Sequence, residues 1–245
     1  MQVPVTEPLD PPLRSRRRQI AVAIAILLGL WAVSAYVLLP MVWDFYFRRR
    51  PSLDDTPGLT QTSVGIPGDP INVALIGTSD EVARIMRAAH WTVADPLGLK
   101  SDLRIAADTV LDRPYENAPV SSLFLYGRKE DLAFEKPVGD NPQHRNHVRF
   151  WKAPTPGAGG RPLWVGSATY DKGIGLSHTT GQVTHHIAED VDAERARLFD
   201  DLKQTQALAE TYVEKGFHKV LAGKNGGGDP WQTDGDLWVG VIAPE

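Results

Sequence analysis

One stretch of the chain, residues 20–43 (IAVAIAILLGLWAVSAYVLLPMVW), carries no charged residue and no polar stripe. Its apolar character runs all round a helical projection, which suits a lipid-facing helix better than an amphipathic one. At about 1.5 Å per residue it extends roughly 36 Å, enough to cross a ~30 Å hydrocarbon core with some tilt. Arg14, Arg16, Arg17 and Arg18 precede it, and Arg48, Arg49 and Arg50 follow, with Trp43, Tyr46 and Phe47 at headgroup depth. The pattern predicts a retained single-pass transmembrane helix. A buried core helix is one rival, which an apolar surface all round rather than in a stripe argues against. A signal peptide is the other, because Val33-Ser34-Ala35 resembles a cleavage site and Ser15-Arg16-Arg17 a twin-arginine signal. Apolar residues continue for eight positions past Ala35, however, which is long for a signal sequence.

The pattern divides the rest into a disordered basic arm (residues 1–19), a Pro/Gly/Ser/Thr-rich juxtamembrane linker (44–69) and one folded domain (70–245). Within the domain, 71–77 (INVALIG) reads as a buried strand. A helix follows: Thr78 and Glu81 stand at capping-box spacing, and Val82, Ile85, Met86 and Ala89 make its stripe. Residues 91–94 suggest a short strand, and 101–113 a second helix. From Ser121 the texture turns to strands at 123–126, 132–136, 147–151, 163–169 and 183–187, with 154–162 as a hairpin loop. A third helix over 191–203 opens on Asp190 and Asp192, and two last strands, 211–217 and 237–242, bracket a glycine-rich loop. Helix-bearing units first and strands afterwards predict an α+β domain with a mixed or antiparallel sheet and about three helices.

A net charge of −4 gives no reason to expect nucleic acid, and the basic residues beside the anchor are matched to anionic lipid headgroups. There is no cysteine, which removes disulfides, thiolate metal sites and a cysteine nucleophile. The arginine imbalance across the anchor is too small to fix orientation; the short arm is read as inside and the domain as periplasmic.

Candidate chemistry gathers in three places. In HRNHVRFW, alternation puts His147, Arg149 and Trp151 on one strand face and Val148 and Phe150 on the other. A His beside an Arg can bind phosphate or carboxylate, although a solvated strand face with a surface histidine is the plainer reading. In THHI, adjacent histidines point to opposite faces, so His185 goes to the core as a structural residue and His186 outward. On the third helix, Glu194 and Arg195 intrude on the stripe of Val191, Leu198 and Leu202, so they must be paired or face a cleft. Together with Asp171 these residues (His147, Arg149, His186, Glu194, Arg195) are expected to form a polar cluster, in which the start of the third helix meets the histidine strands. His144, His147, His186 and Asp171 are the candidates for a metal; no cofactor follows from the sequence. LAGKNGGGDP (221–230) lacks a phosphate-loop pattern and reads as a plain connection, and Gly173-Ile174-Gly175 lacks a nucleotide-binding frame.

The strings GDPINVALIGTSDEVARIMRAAHW, APVSSLFLYGRKEDLAFEKPVG, HVRFWKAP, LWVGSATYDKGIGLS, TGQVTHHIAEDVDAERARLFDDL and DGDLWVGVI together resemble the LssY-like C-terminal domain family, from about Gly68 to Ile242. The resemblance implies a bacterial envelope protein nominally linked to type I secretion, with no established activity. Relatives often carry this domain behind DedA- or lipid-phosphatase-type spans; the chain has no P-S-G-H signature, so no phosphatase activity carries over. The expected function is a membrane-anchored accessory or binding domain, with the bilayer and membrane transport or secretion components as partners. A metal- or histidine-assisted hydrolase of a phosphorylated or acidic substrate is the alternative, and whether the chain is an enzyme stays open.

Overall fold

The structure is a computed structural model that describes residues 13–39, 41–42, 53, 55–63, 65–94, 123–139, 144–179 and 183–244. It divides into two compact units, Met1–Arg50 and Pro51–Glu245.

The first unit holds α1 (Leu13–Val33), which widens into a π-helical turn over Ser34–Leu38, where the Leu39 N–H reaches Ser34 O ahead of Pro40. The helix begins at Leu13, so Arg16, Arg17 and Arg18 sit on its first turns rather than in a disordered arm. Arginine's good helix propensity explains the early start. From Arg16 to Leu38 the helix is long and apolar enough to cross a membrane, and none of that span is buried by protein.

In the second unit the chain forms β1 (Leu59–Thr62), β2 (Pro67–Pro70), β3 (Val73–Ile76), α2 (Ser79–Ala88), β4 (Thr92–Val93), β5 (Leu123–Leu125) and β6 (Arg128–Lys129). Then come β7 (Leu132–Pro137), β8 (Arg145–Lys152), β9 (Leu163–Leu176), β10 (Val183–Ile187) and α3 (Val191–Gln204). The chain closes with β11 (Leu208–Glu214), β12 (Ala222–Lys224), β13 (Pro230–Gln232) and β14 (Leu237–Ile242). The main sheet has the order β11-β14-β3-β9-β8-β7-β4, with β10 on β9. Only β14 and β3 pair in parallel within it, so the α+β class and mixed sheet expected from the pattern hold. The helix expected over 101–113 lies outside the described residues.

Both faces of this sheet are covered. On one face Val82, Ile85 and Met86 of α2 and Leu198, Phe199 and Leu202 of α3 pack against Val73, Leu75, Val148, Phe150 and Ala168. The expected capping box on α2 is present: Glu81 N donates to Thr78 Oγ1 (3.2 Å), and Thr78 N to Glu81 Oε2 (2.6 Å). Buried Asn72 ties the layers together. Its Nδ2 donates to Ala168 O on β9 and Val191 O on α3, and its Oδ1 accepts from Ala168 N.

On the other face, Ala74, Ile76, Trp151, Leu163, Val165 and Val239 pack beneath Leu123 and Leu125. These last two belong to a second sheet of order β2-β1-β5-β6. The linker expected over 44–69 is therefore corrected: its second half supplies two strands. Pro67 and Pro70 hide β2 from a reading by pattern, but β2 lies at the sheet edge, where a missing N–H is tolerated. The 154–162 loop does join β8 to β9 as a hairpin, as its turn residues suggest.

Candidate functional site

Along β8 and β9 one sheet face changes character step by step. Trp151 stands opposite Val165, Arg149 opposite Ser167, His147 opposite Thr169 and Arg145 opposite Asp171. The first pair belongs to the apolar core, and the next three are polar yet buried. His147 is 2% exposed and Arg149 4%, so the solvated strand face expected of this segment is not what the chain builds. The second sheet covers it, at a separation in sequence that alternation cannot reveal.

Over this polar face lies a cavity of about 540 Å³, open between the two sheets. His147, Arg149 and Asp171 form its floor, with His185 beside them. Asp69 and Asn225 approach from β2 and from the tip of the β12–β13 hairpin. Arg145 anchors one end of the floor. It donates to Glu135 Oε2 (2.8 Å), Asp171 Oδ2 (3.1 Å) and His185 Nε2 (3.2 Å), and since guanidinium has only donors, that imidazole nitrogen accepts. At the other end Arg149 meets Asp69 at 3.5 Å, and Asn225 Nδ2 donates to Asp69 Oδ1 at 3.0 Å.

Burial sets the charge states here. It holds the His147 imidazole well below its ordinary value, helped by the nearby Arg149 and Arg145, so His147 is neutral at physiological pH. Burial likewise pushes the Asp69 carboxyl up, against the pull of Arg149 and Asn225.

The sequence candidates separate into three groups. His147, Arg149 and Asp171 share the cavity floor. His186 leaves β10 elsewhere, with its Nδ1 2.6 Å from Asp229 Oδ1 and its ring 5.3 Å from that of His178. Glu194 and Arg195 belong to α3, on the helical side of the sheet. The start of the third helix therefore does not join the histidine strands in one cluster. Arg195 is instead a tie to the loop before β14, donating to both carboxylate oxygens of Asp234 (2.9 and 2.7 Å) and to Asp236 O (2.7 Å). His144 stands at the approach to β8, its ring 6.3 Å from that of Tyr170.

Reading by pattern missed Asp69, His185 and Asn225. Residues 221–230 are not a plain connection. They form the β12–β13 hairpin, whose tip is shaped by Asn225 Oδ1 accepting from Gly227 N (3.0 Å) and Asp229 N (2.9 Å). An Asn followed by glycines and an Asp is the signal that marks such a side-chain-held turn.

Glu194 is buried, its Oε1 has no hydrogen-bond partner among the described residues, and burial pushes its carboxyl up to about 8. Because the folded value lies above the ordinary 4.5, the folded state holds the extra proton between the two, and stability falls as pH rises through that window. Glu194→Gln is expected to remove this loss. Melting temperatures at pH 5, 7 and 9 should converge at the acid end and favour the variant by several degrees at pH 9.

The second unit is thus a three-layered α+β domain with a polar-floored cavity between its two sheets. The chain belongs to the LssY C-terminus family, whose model matches residues 30–237. No curated protein and no solved structure matches the chain.

Proposed function

We propose that the chain is a membrane-anchored binding domain whose cavity takes a small ligand bearing an acidic group. The observation that carries this reading is the change of the β8–β9 face from apolar to buried polar beneath a cavity of about 540 Å³. That volume falls in the usual range for small-molecule sites, and burying charge without a role is costly. Arg149 and Lys129 both line the cavity; Asp171 is engaged by Arg145, and Asp69 is pushed towards its protonated form. An incoming carboxylate or phosphate therefore meets cations, and Arg149 can share its donors between Asp69 and the ligand.

The hydrolase alternative gains less support. A base works best with a value near the operating pH, and His147 is held far below it. In a thermal-shift titration of the full-length chain in detergent, inorganic phosphate, glycerol phosphate or succinate is expected to raise the melting temperature. Arg149→Gln should abolish that rise. No shift with any of the three, or a shift that survives the substitution, contradicts the reading.

The apolar helix from Arg16 to Leu38 supports single-pass anchoring in the cell membrane; the periplasmic side is our reading for the domain, and nothing in the helix itself selects it. An anchored receptor of this kind suits an accessory role beside a transport or secretion component of the bacterial envelope. Alkaline carbonate should leave the full-length chain in the membrane pellet, and protease added to spheroplasts should digest the domain. Release into the supernatant would remove the anchor from the account.

A further inference from the structure

Beyond the cavity, and independently of what it binds, we propose that His178, His186 and Asp229 form a divalent-cation site that takes zinc. One ligand atom from each of the three lies within 4.8 Å of the other two. In a tetrahedral zinc site two ligands at about 2.0–2.1 Å from the metal stand roughly 3.3 Å apart, so small side-chain rotations close the set. His178 is exposed and supplies that freedom. Two imidazoles and one carboxylate, with no thiolate, make a borderline donor set of the kind that holds zinc through three protein ligands and leaves one position open.

The surroundings fix His186, Asp229 and the backbone of His178 before any metal arrives. The His186 ring lies over Gly175, where an added Cβ would come within 2.6 Å of Nε2. Only glycine at that strand position leaves room for it. Asp229 is buried, and its Oδ2 accepts from Ile187 N at 3.2 Å, which turns Oδ1 towards His186. His178 N donates to Gly227 O at 2.8 Å, so the segment after β9 is stitched to the hairpin tip. Gly228 has φ +87, and an added Cβ there would meet His178 Cβ at 2.7 Å. Asn225 holds the backbone of Asp229 through its Oδ1, an outer-layer support of the type that orients metal ligands.

The three ligands come from the end of β9, from β10 and from the β12–β13 hairpin. Neighbouring histidines cannot both serve, and His185 is engaged with Arg145 instead.

The test uses untagged full-length chain in detergent, stripped with chelator, dialysed against zinc and desalted. Mass spectrometry for metal content should find one zinc per chain, and zinc should raise the melting temperature in a way that EDTA reverses. His178 is exposed and its ring meets only that of His186 among the contacts described, so His178→Ala should melt as wild type does without metal, yet bind zinc at least tenfold more weakly. His178→Gln provides the same reading should the alanine variant fold poorly. His144→Ala should leave zinc binding unchanged. The proposal is overturned if wild type retains no zinc, if both His178 variants retain it undiminished, or if His144→Ala is the substitution that lowers it.

Discussion

Arg145→Ala is expected to lower the unfolding free energy by about 3–5 kcal/mol, the range for removing one member of a buried charge network. Arg145 engages Glu135, Asp171 and His185 at once. Its side chain is 7% exposed and that of Asp171 only 2%, so the carboxylate left behind has little access to water. Arg145→Lys should recover little of the loss, since a single ammonium cannot reach three partners set out for a planar fork. Urea midpoints of the two variants measure this. A change below about 1 kcal/mol would mean that water repairs the site, as it does for surface pairs.

Arg195→Ala is the second large effect, expected at about 2–3 kcal/mol. Its guanidinium grips Asp234 through both oxygens, lies 3.0 Å from Asp192 and sits 5.0 Å from the Trp238 ring. Asp192 reinforces the same junction by accepting from Thr233 Oγ1 at 2.7 Å. The first turn of α3 thus clamps the loop that feeds β14, a tie between core layers. The cost is smaller than at Arg145 because the Asp234 side chain is 51% exposed and water takes over part of its solvation. Arg195 also holds the Asp234 carboxyl below its ordinary range. Stability from that pair is present above the ordinary value of 3.8 and is lost as pH falls through the lower folded value. Arg195→Ala should therefore also blunt acid destabilisation. Ligand-induced thermal shifts should persist in this variant, because Arg195 is not part of the cavity.

The two arginines show what could be read along the chain and what could not. Arg195 on an apolar helical stripe announced a paired charge, but its partner lies 39 residues away in a loop with no marker of its own. Alternation in HRNHVRFW separated the two faces of β8 correctly. It could not say that the His147 face is covered, because the covering layer pairs Gln61 with Phe124 and so joins distant segments. Half of that layer lies in residues whose prolines and glycines match a linker equally well. His185 read as a core histidine because Ile187 shares its face. That face is indeed buried at His185, but by charged partners rather than apolar ones. The capping box on α2, the 154–162 hairpin and the stripe of α3 depend on neighbours in sequence, and these were legible.

The most direct test of the binding cavity is a titration followed on histidine ring resonances of the isotope-labelled full-length chain. The seven histidines sample distinct places, with His147 and His185 at the cavity, His178 and His186 beyond the hairpin, and His218 bonded to Ile71 O in the core. Glycerol phosphate or succinate should move the His147 and His185 signals saturably, and leave those of His90, His144 and His218 in place. Shifts confined to His90, His144, His178 or His186, or no saturable shift with either acid, would contradict a ligand site on the β8–β9 face.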